Sequence, residues 1–81
     1  MARLLYFARV REEMGRSMET LPLPPEITSV ATLLDHLRRR EPYASALTSH
    51  IQVAVNQRHA SPPDTIGDDD EIAFFPPVSG G

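Results

Sequence analysis

The sequence contains no cysteine and no lysine, and each absence removes a branch of chemistry. Without cysteine there are no disulfides, thiolate metal sites, thiol nucleophiles or side-chain persulfides. Any sulfur that this chain handles must be held somewhere other than a side chain. Without lysine there is no side-chain amine on which an isopeptide bond can form, and all eight basic residues are arginine. Long apolar runs are also missing. Met1-Ala2-Arg3-Leu4-Leu5-Tyr6-Phe7 soon meets Arg9, Arg11, Glu12 and Glu13, which is too short and too interrupted for a signal peptide or a membrane span. A cytoplasmic location with no membrane partner is the expectation. A formal charge of −3 and a pI near 5.5 argue against an electrostatic grip on nucleic acid, so the macromolecular partners are expected to be proteins.

With 81 residues, 41% of them hydrophobic, the chain suits one small domain that buries roughly 60–65% of its unfolded surface. That leaves no room for an enclosed substrate pocket of ordinary size. The run Arg3 to Ala8 is apolar with two aromatics and reads as a central strand buried on both faces. Val10 and Met14 lie four apart with charges between them and Gly15 behind, the pattern of a helix of about two turns. Ser17 to Leu23 alternates, with Met18, Thr20 and Pro22 opposite Glu19, Leu21 and Leu23, and its proline marks an edge strand.

The main helix is announced by Val30, Leu33, Leu34 and Leu37 at i, i+3, i+4 and i+7. Thr28 or Ser29 is placed to cap it, and Arg38-Arg39-Arg40 closes it against the negative end of its dipole. Pro42 opens a further helical turn carrying Tyr43, Ala46 and Leu47. Ile51, Val53 and Val55 then alternate as a half-buried strand, Asn56-Gln57 turns, Arg58 to Ser61 returns, and Ile72 to Phe75 forms the last strand after the acidic run Asp68 to Glu71. This order predicts an α+β fold, a mixed sheet packed on one main helix. Strand periodicity sends Ile72 and Phe74 into the core and Ala73 and Phe75 to the other face. Phe75 is therefore a candidate partner anchor beside the tail, the alternative being ordinary core. Phe7 and His59 are further candidates.

The ending Phe74-Phe75-Pro76-Pro77-Val78-Ser79-Gly80-Gly81 carries the most chemical information. Two terminal glycines alone arise by chance in roughly one chain in 200, so the context matters. Pro76-Pro77 cannot extend a sheet ladder and favours an extended exit. Six residues from Pro76 span about 20 Å, enough to enter another protein's active site. Gly80 and Gly81 lack Cβ atoms, so they can thread a narrow channel. A carboxylate at Gly81 is a poor electrophile until condensation with ATP makes it an acyl-adenylate. A sulfur donor that displaces AMP leaves a thiocarboxylate, a nucleophilic sulfur that a partner's pocket can shelter.

From Leu4-Leu5-Tyr6-Phe7-Ala8-Arg9-Val10-Arg11-Glu12 through Val55-Asn56-Gln57 to the Phe-Phe-Pro-Pro-Val-Ser-Gly-Gly ending, the whole chain resembles the MoaD family, the small subunits of molybdopterin synthase. The resemblance implies a β-grasp, ubiquitin-like fold, with residues 1–75 as the domain and 76–81 as a flexible Gly-Gly tail. It implies a chain that is non-catalytic alone and binds no cofactor, and that is adenylated and thiolated by a MoeB-type enzyme using ATP. The tail would then enter the MoaE-type large subunit of a heterotetramer. There Gly81, threaded by Gly80, Ser79, Val78, Pro77 and Pro76, would donate sulfur to the cyclic pyranopterin precursor of the molybdenum cofactor. One departure is visible: Asp68-Asp69-Asp70-Glu71 stands where the family usually has Asp-Gly-Asp-Glu. Aspartate tolerates the left-handed conformation that a glycine in such a turn supplies, and Ile66 and Gly67 are placed to absorb the difference.

Other readings of the same tail are a carrier for thiamine or tRNA thiolation, a ubiquitin-like modifier joined to target lysines, and an interaction domain with an inert end. His36, His50 and His59 are widely spaced without a paired ligand, so no metal site is expected.

Overall fold

The computed structural model describes residues 1–40 and 51–76. The helical turn expected around Tyr43, His50, and Pro77, Val78, Ser79, Gly80 and Gly81 lie outside the described residues. The elements run β1 (Ala2–Tyr6), α1 (Ala8–Met14), β2 (Met18–Leu21), α2 (Val30–Arg40), β3 (Gln52–Val55), β4 (Arg58–Ala60) and β5 (Glu71–Phe75). The five strands form one sheet in the order β2-β1-β5-β3-β4. β1 and β5 are parallel, and every other pair is antiparallel. β2 lies at one edge, as the sequence predicts, and stops just before Pro22.

The α2 stripe enters the core as expected: Val30, Leu33, Leu34 and Leu37 are buried with Leu4, Tyr6, Val53, Ile72 and Phe74 in one cluster. Ser29 is the N-cap. Its Oγ accepts from the Thr32 backbone N–H at 3.3 Å, while the Thr32 hydroxyl accepts from the Ser29 N–H at 3.0 Å. This is a capping box with threonine in the place of the usual glutamate. The next amides of α2 are taken by the loop before β5, Val30 N–H by the Asp64 carbonyl and Ala31 N–H by the Pro62 carbonyl. The breaker Pro62-Pro63-Asp64 therefore clamps the helix start to the sheet.

Local conformations at three places aim the chain. Gly15 ends α1 at φ 77, its N–H donating to the Arg11 carbonyl at 3.0 Å. At the other end Ala8 has φ 52, a left-handed conformation that costs a non-glycine residue roughly 1–2 kcal/mol. Asn56 and Gln57 join β3 to β4 with φ 51 and 69, the two-residue hairpin geometry that follows strand twist.

The acidic run resolves without a glycine. Asp70 N–H reaches the Gly67 carbonyl at 3.2 Å, and the Asp70 carboxylate accepts the Gly67 N–H at 2.7 Å. Neither Asp68 nor Asp69 has positive φ, so the turn does not need the residue that the family pattern places there. Asp68 instead ties two distant points together: it accepts the Leu23 N–H at 2.9 Å and pairs with the Met1 ammonium at 3.0 Å. Those bonds, the Leu23 amide foremost, hold its carboxyl below the usual aspartate range.

One expectation is corrected. β1 is central, but it is not buried on both faces: Ala2, Leu4 and Tyr6 are buried while Arg3 is exposed and Leu5 half-buried. α2 covers one side of the sheet, and among the described residues no second layer covers the other.

Candidate functional site

The strand register decides which side chains share the open face. Leu5 pairs with Met18 on β2 and with Ala73 on β5, Ala73 pairs with Ala54 on β3, and Ala54 pairs with His59 on β4. One row across the whole sheet thus carries Met18, Leu5, Ala73, Ala54 and His59 on the face turned away from α2. The next row, nearer the end of β5, holds Phe75 opposite Gln52.

Phe7 completes it. The residue leaves β1, donates its N–H to the Phe74 carbonyl at 3.2 Å, and caps α1. Its ring stacks on that of Phe75 with centroids 4.8 Å apart and planes 6° from parallel. Phe7 remains 41% exposed, and Phe75 is half-buried beneath it. The candidate anchor is therefore a pair of rings, not Phe75 standing alone. An offset aromatic pair is rigid and presents a large apolar surface at small entropic cost, the property of interface anchors.

His59 lies on the same face at the far edge. Its Nε2 is 2.9 Å from the Gln52 Oε1, and Gln52 faces Phe75 across the ladder. The structure thus brings together all three predicted partner-binding residues, with Gln52 as the link. Met18, at 51% exposure, and Leu5 belong to this surface as well, although sequence reasoning did not nominate them. Their alternation out of phase with Leu4, Tyr6 and Leu21 was the available signal.

The rim of the face is charged and paired. Arg3 contacts Glu71 at 2.9 Å across β1 and β5, and Arg9 contacts Glu13 at 3.0 Å along α1. Exposed pairs of this kind contribute little stability, so their main effect here is to keep the margin of an apolar patch hydrated.

Pro76 follows Phe75 directly, so the tail is rooted at the edge of the aromatic pair. A protein that docks on Phe7 and Phe75 therefore receives the tail at a fixed starting point. An open groove of about 380 Å³ lined by Glu26, Ile27, Thr32, Asp35, His36 and Arg39 shares no residue with this face. Among the described residues no cluster of three or more His, Asp or Glu is arranged to hold a metal ion, and no helix is long and apolar enough to cross a membrane.

Comparison with known proteins supplies the family. The ThiS family model matches residues 4–81. The chain is 36% identical to the molybdopterin synthase sulfur carrier subunit of Mycobacterium tuberculosis over 78 residues, covering 96% of this chain and 94% of that one. It is 36% identical over 83 residues to the protein of the same name from Escherichia coli, with all of both chains covered. Among solved structures it superposes on SAMP1 of Haloferax volcanii, a small archaeal modifier protein, with a TM-score of 0.78 and 28% identity, covering 99% of this chain and 98% of the other. That likeness agrees with the mixed sheet and the long helix α2 found here. On this match the chain belongs to the ThiS family of ubiquitin-like, β-grasp proteins.

Proposed function

We propose that this chain is the sulfur carrier subunit of a molybdopterin synthase and that its reactive group is the carboxylate of Gly81. The observation that supports the reading is the alignment with proteins of that name over the full length of both chains. The Phe7–Phe75 pair at the root of the tail gives the reading a physical basis.

In the proposed sequence the Gly81 carboxylate attacks the α-phosphorus of ATP, pyrophosphate leaves, and an acyl-adenylate forms. A sulfur nucleophile at the oxidation level of sulfide then attacks the acyl carbon and AMP departs, leaving a thiocarboxylate. The adenylating partner is of the MoeB type and supplies the nucleotide site. The acceptor is a large subunit of the MoaE type, onto whose surface Phe7 and Phe75 dock while the residues from Pro76 onward reach inward. The chain supplies a covalent reactant and a docking face, and the partner supplies the pocket. Two such pairs assemble into a heterotetramer with separate active sites, and the mass of the co-purified subunits in solution checks this.

Appending one alanine after Gly81 tests the role of the terminus. The fold should be unaffected, and support of molybdopterin synthesis in cells lacking their own carrier should be lost. Full support by the extended chain would contradict the proposal. A second reading, a protein modifier, is favoured by the structural likeness to SAMP1. It requires an amide from Gly81 to a target lysine, which would appear as a stable, thiol-resistant adduct on other proteins.

A further inference from the structure

β1 passes into α1 without a linker: the strand ends at Tyr6, the helix begins at Ala8, and Phe7 alone stands between them. Phe7 is held by its backbone on both sides. Its N–H donates to the Phe74 carbonyl on β5 at 3.2 Å, and its carbonyl accepts the amides of Val10 at 3.1 Å and Arg11 at 3.4 Å. The residue itself stays extended, with φ −119 and ψ 151. The sheet thus fixes one end of Phe7 and the helix the other, and the change of direction between them falls on Ala8.

Ala8 makes that change by adopting φ 52. Both ends of α1 carry a residue of positive φ, and the two ends solve the problem differently. At the C-terminal end stands Gly15 at φ 77, where an added methyl group would meet no atom within 4 Å, so glycine is chosen there for its backbone alone. At the N-terminal end the residue is alanine. Ala8 is exposed, so burial of its methyl group does not explain the choice.

Alanine and glycine differ here in freedom. For a residue with a Cβ the left-handed region is one small well, with φ about +50 to +70 and ψ about +30 to +60, whereas glycine ranges widely over positive φ. An alanine forced into that well gives the strand–helix junction one geometry, and a glycine allows many. The junction is what lays the Phe7 ring over Phe75, 4.8 Å away and 6° from parallel. Phe7 is 41% exposed, so its ring is not wedged in a core and its backbone has to orient it.

We propose that Ala8 is a positioning residue of the docking face. Its methyl group confines the left-handed junction and so orders Phe7 over Phe75 before a partner arrives, which places the ordering cost in folding instead of in binding. The binding half of this rests on the carrier reading above.

The test compares the full native chain with Ala8→Gly and Ala8→Asn by NMR and thermal melting. Rings stacked this closely shield each other, so the native chain should show Phe7 and Phe75 ring protons upfield of free phenylalanine and a Phe7 backbone order parameter of about 0.85. Ala8→Gly should melt no lower than the native chain, because the left-handed strain is gone, yet its ring shifts should move towards free values and its Phe7 order parameter should fall towards about 0.6. Asparagine enters the left-handed well more readily than alanine but is still confined by its Cβ, so Ala8→Asn should keep the native shifts and order. Calorimetry against a molybdopterin synthase large subunit should find Kd for Ala8→Gly weakened roughly three- to tenfold, the cost of ordering one large side chain on binding.

Native shifts and order in Ala8→Gly would overturn the proposal even if affinity fell, since the methyl group would then be a simple contact. Altered shifts with unchanged affinity would overturn it, as would loss of ring order in a folded Ala8→Asn. A melting temperature of Ala8→Gly well below the native value would overturn it too, by showing that the methyl group supports the fold itself. Failure of the native chain to bind the large subunit would refute the carrier reading separately, and the NMR comparison would still decide whether Ala8 orients Phe7.

Discussion

β1, the residue that follows it, and β5 carry two aromatic pairs, one on each side of the sheet. Tyr6 stacks on Phe74 in the core with centroids 5.6 Å apart, and the chain continues by one residue on each strand to Phe7 stacked on Phe75 at 4.8 Å. The inner rings are 1% and 0% exposed, whereas Phe7 is 41% exposed. The two pairs therefore bury very different shares of similar side chains, although they share strands and hydrogen-bond ladder. Alternation along a strand allows one segment both to hold the fold together and to present a binding surface, provided that one side of the sheet is left without a covering layer. The inner pair contributes to stability, and the outer pair is available to a partner.

The sharpest way to break this contrast is to truncate one ring from each pair. Phe74→Ala removes a fully buried ring and should cost about 3–5 kcal/mol, against a total stability of about 4–12 kcal/mol for a domain of this size. Urea denaturation should find the variant marginal or unfolded. Phe75→Ala should lower stability by only about 1 kcal/mol yet weaken binding to the large subunit by about 2 kcal/mol or more, roughly thirtyfold in Kd by calorimetry. If Phe75→Ala unfolded the chain, or left partner affinity unchanged, the division between the faces would not hold.

A finer probe of the inner pair is its hydroxyl. Tyr6 Oη donates to Glu19 Oε2 at 2.7 Å, so Tyr6→Phe should cost about 1–2 kcal/mol in chemical denaturation while leaving partner binding as it was. The smallest effect belongs to the exposed Asp68. Its carboxyl is held below the usual range by the Leu23 amide first and then by the Met1 ammonium. A depressed carboxylate stabilises the fold above its unfolded pKa, and the contribution disappears as pH falls through the folded value. The stability gap between the native chain and Asp68→Asn should therefore be present at neutral pH and close below about pH 4. A gap that widened with acid would reverse the sign of this argument.

Much of this architecture is legible in the amino-acid sequence because it follows from local patterns. The α2 stripe, the Gly15 stop, the Asn56-Gln57 turn and the alternation of Ile72 to Phe75 each depend on neighbours a few residues apart. The open face is harder to read, because its assembly depends on register between strands distant in sequence. Nothing near Phe7 specifies that Phe75 will lie beneath it, or that Gln52 will link Phe75 to His59. The apolar character of Arg3 to Ala8 suggested burial on both sides. In fact the second set of apolar residues, Leu5 and Phe7, marks the surface that α2 leaves uncovered. The left-handed Ala8 has no sequence signal at all, since alanine is a poor choice for that conformation. Asp68 reads as one charge in a solvated run, and only the fold reveals that it fastens Leu23 and the amino terminus.

The most direct test of the carrier role is the intact mass of the chain after incubation with an adenylating enzyme of the MoeB type, ATP and a sulfur donor. The account predicts a gain equal to the exchange of one oxygen for one sulfur, located at Gly81 by fragmentation. An unchanged mass under conditions that thiolate an established carrier, with the chain folded, would contradict it and remove Gly81 from the centre of the chemistry.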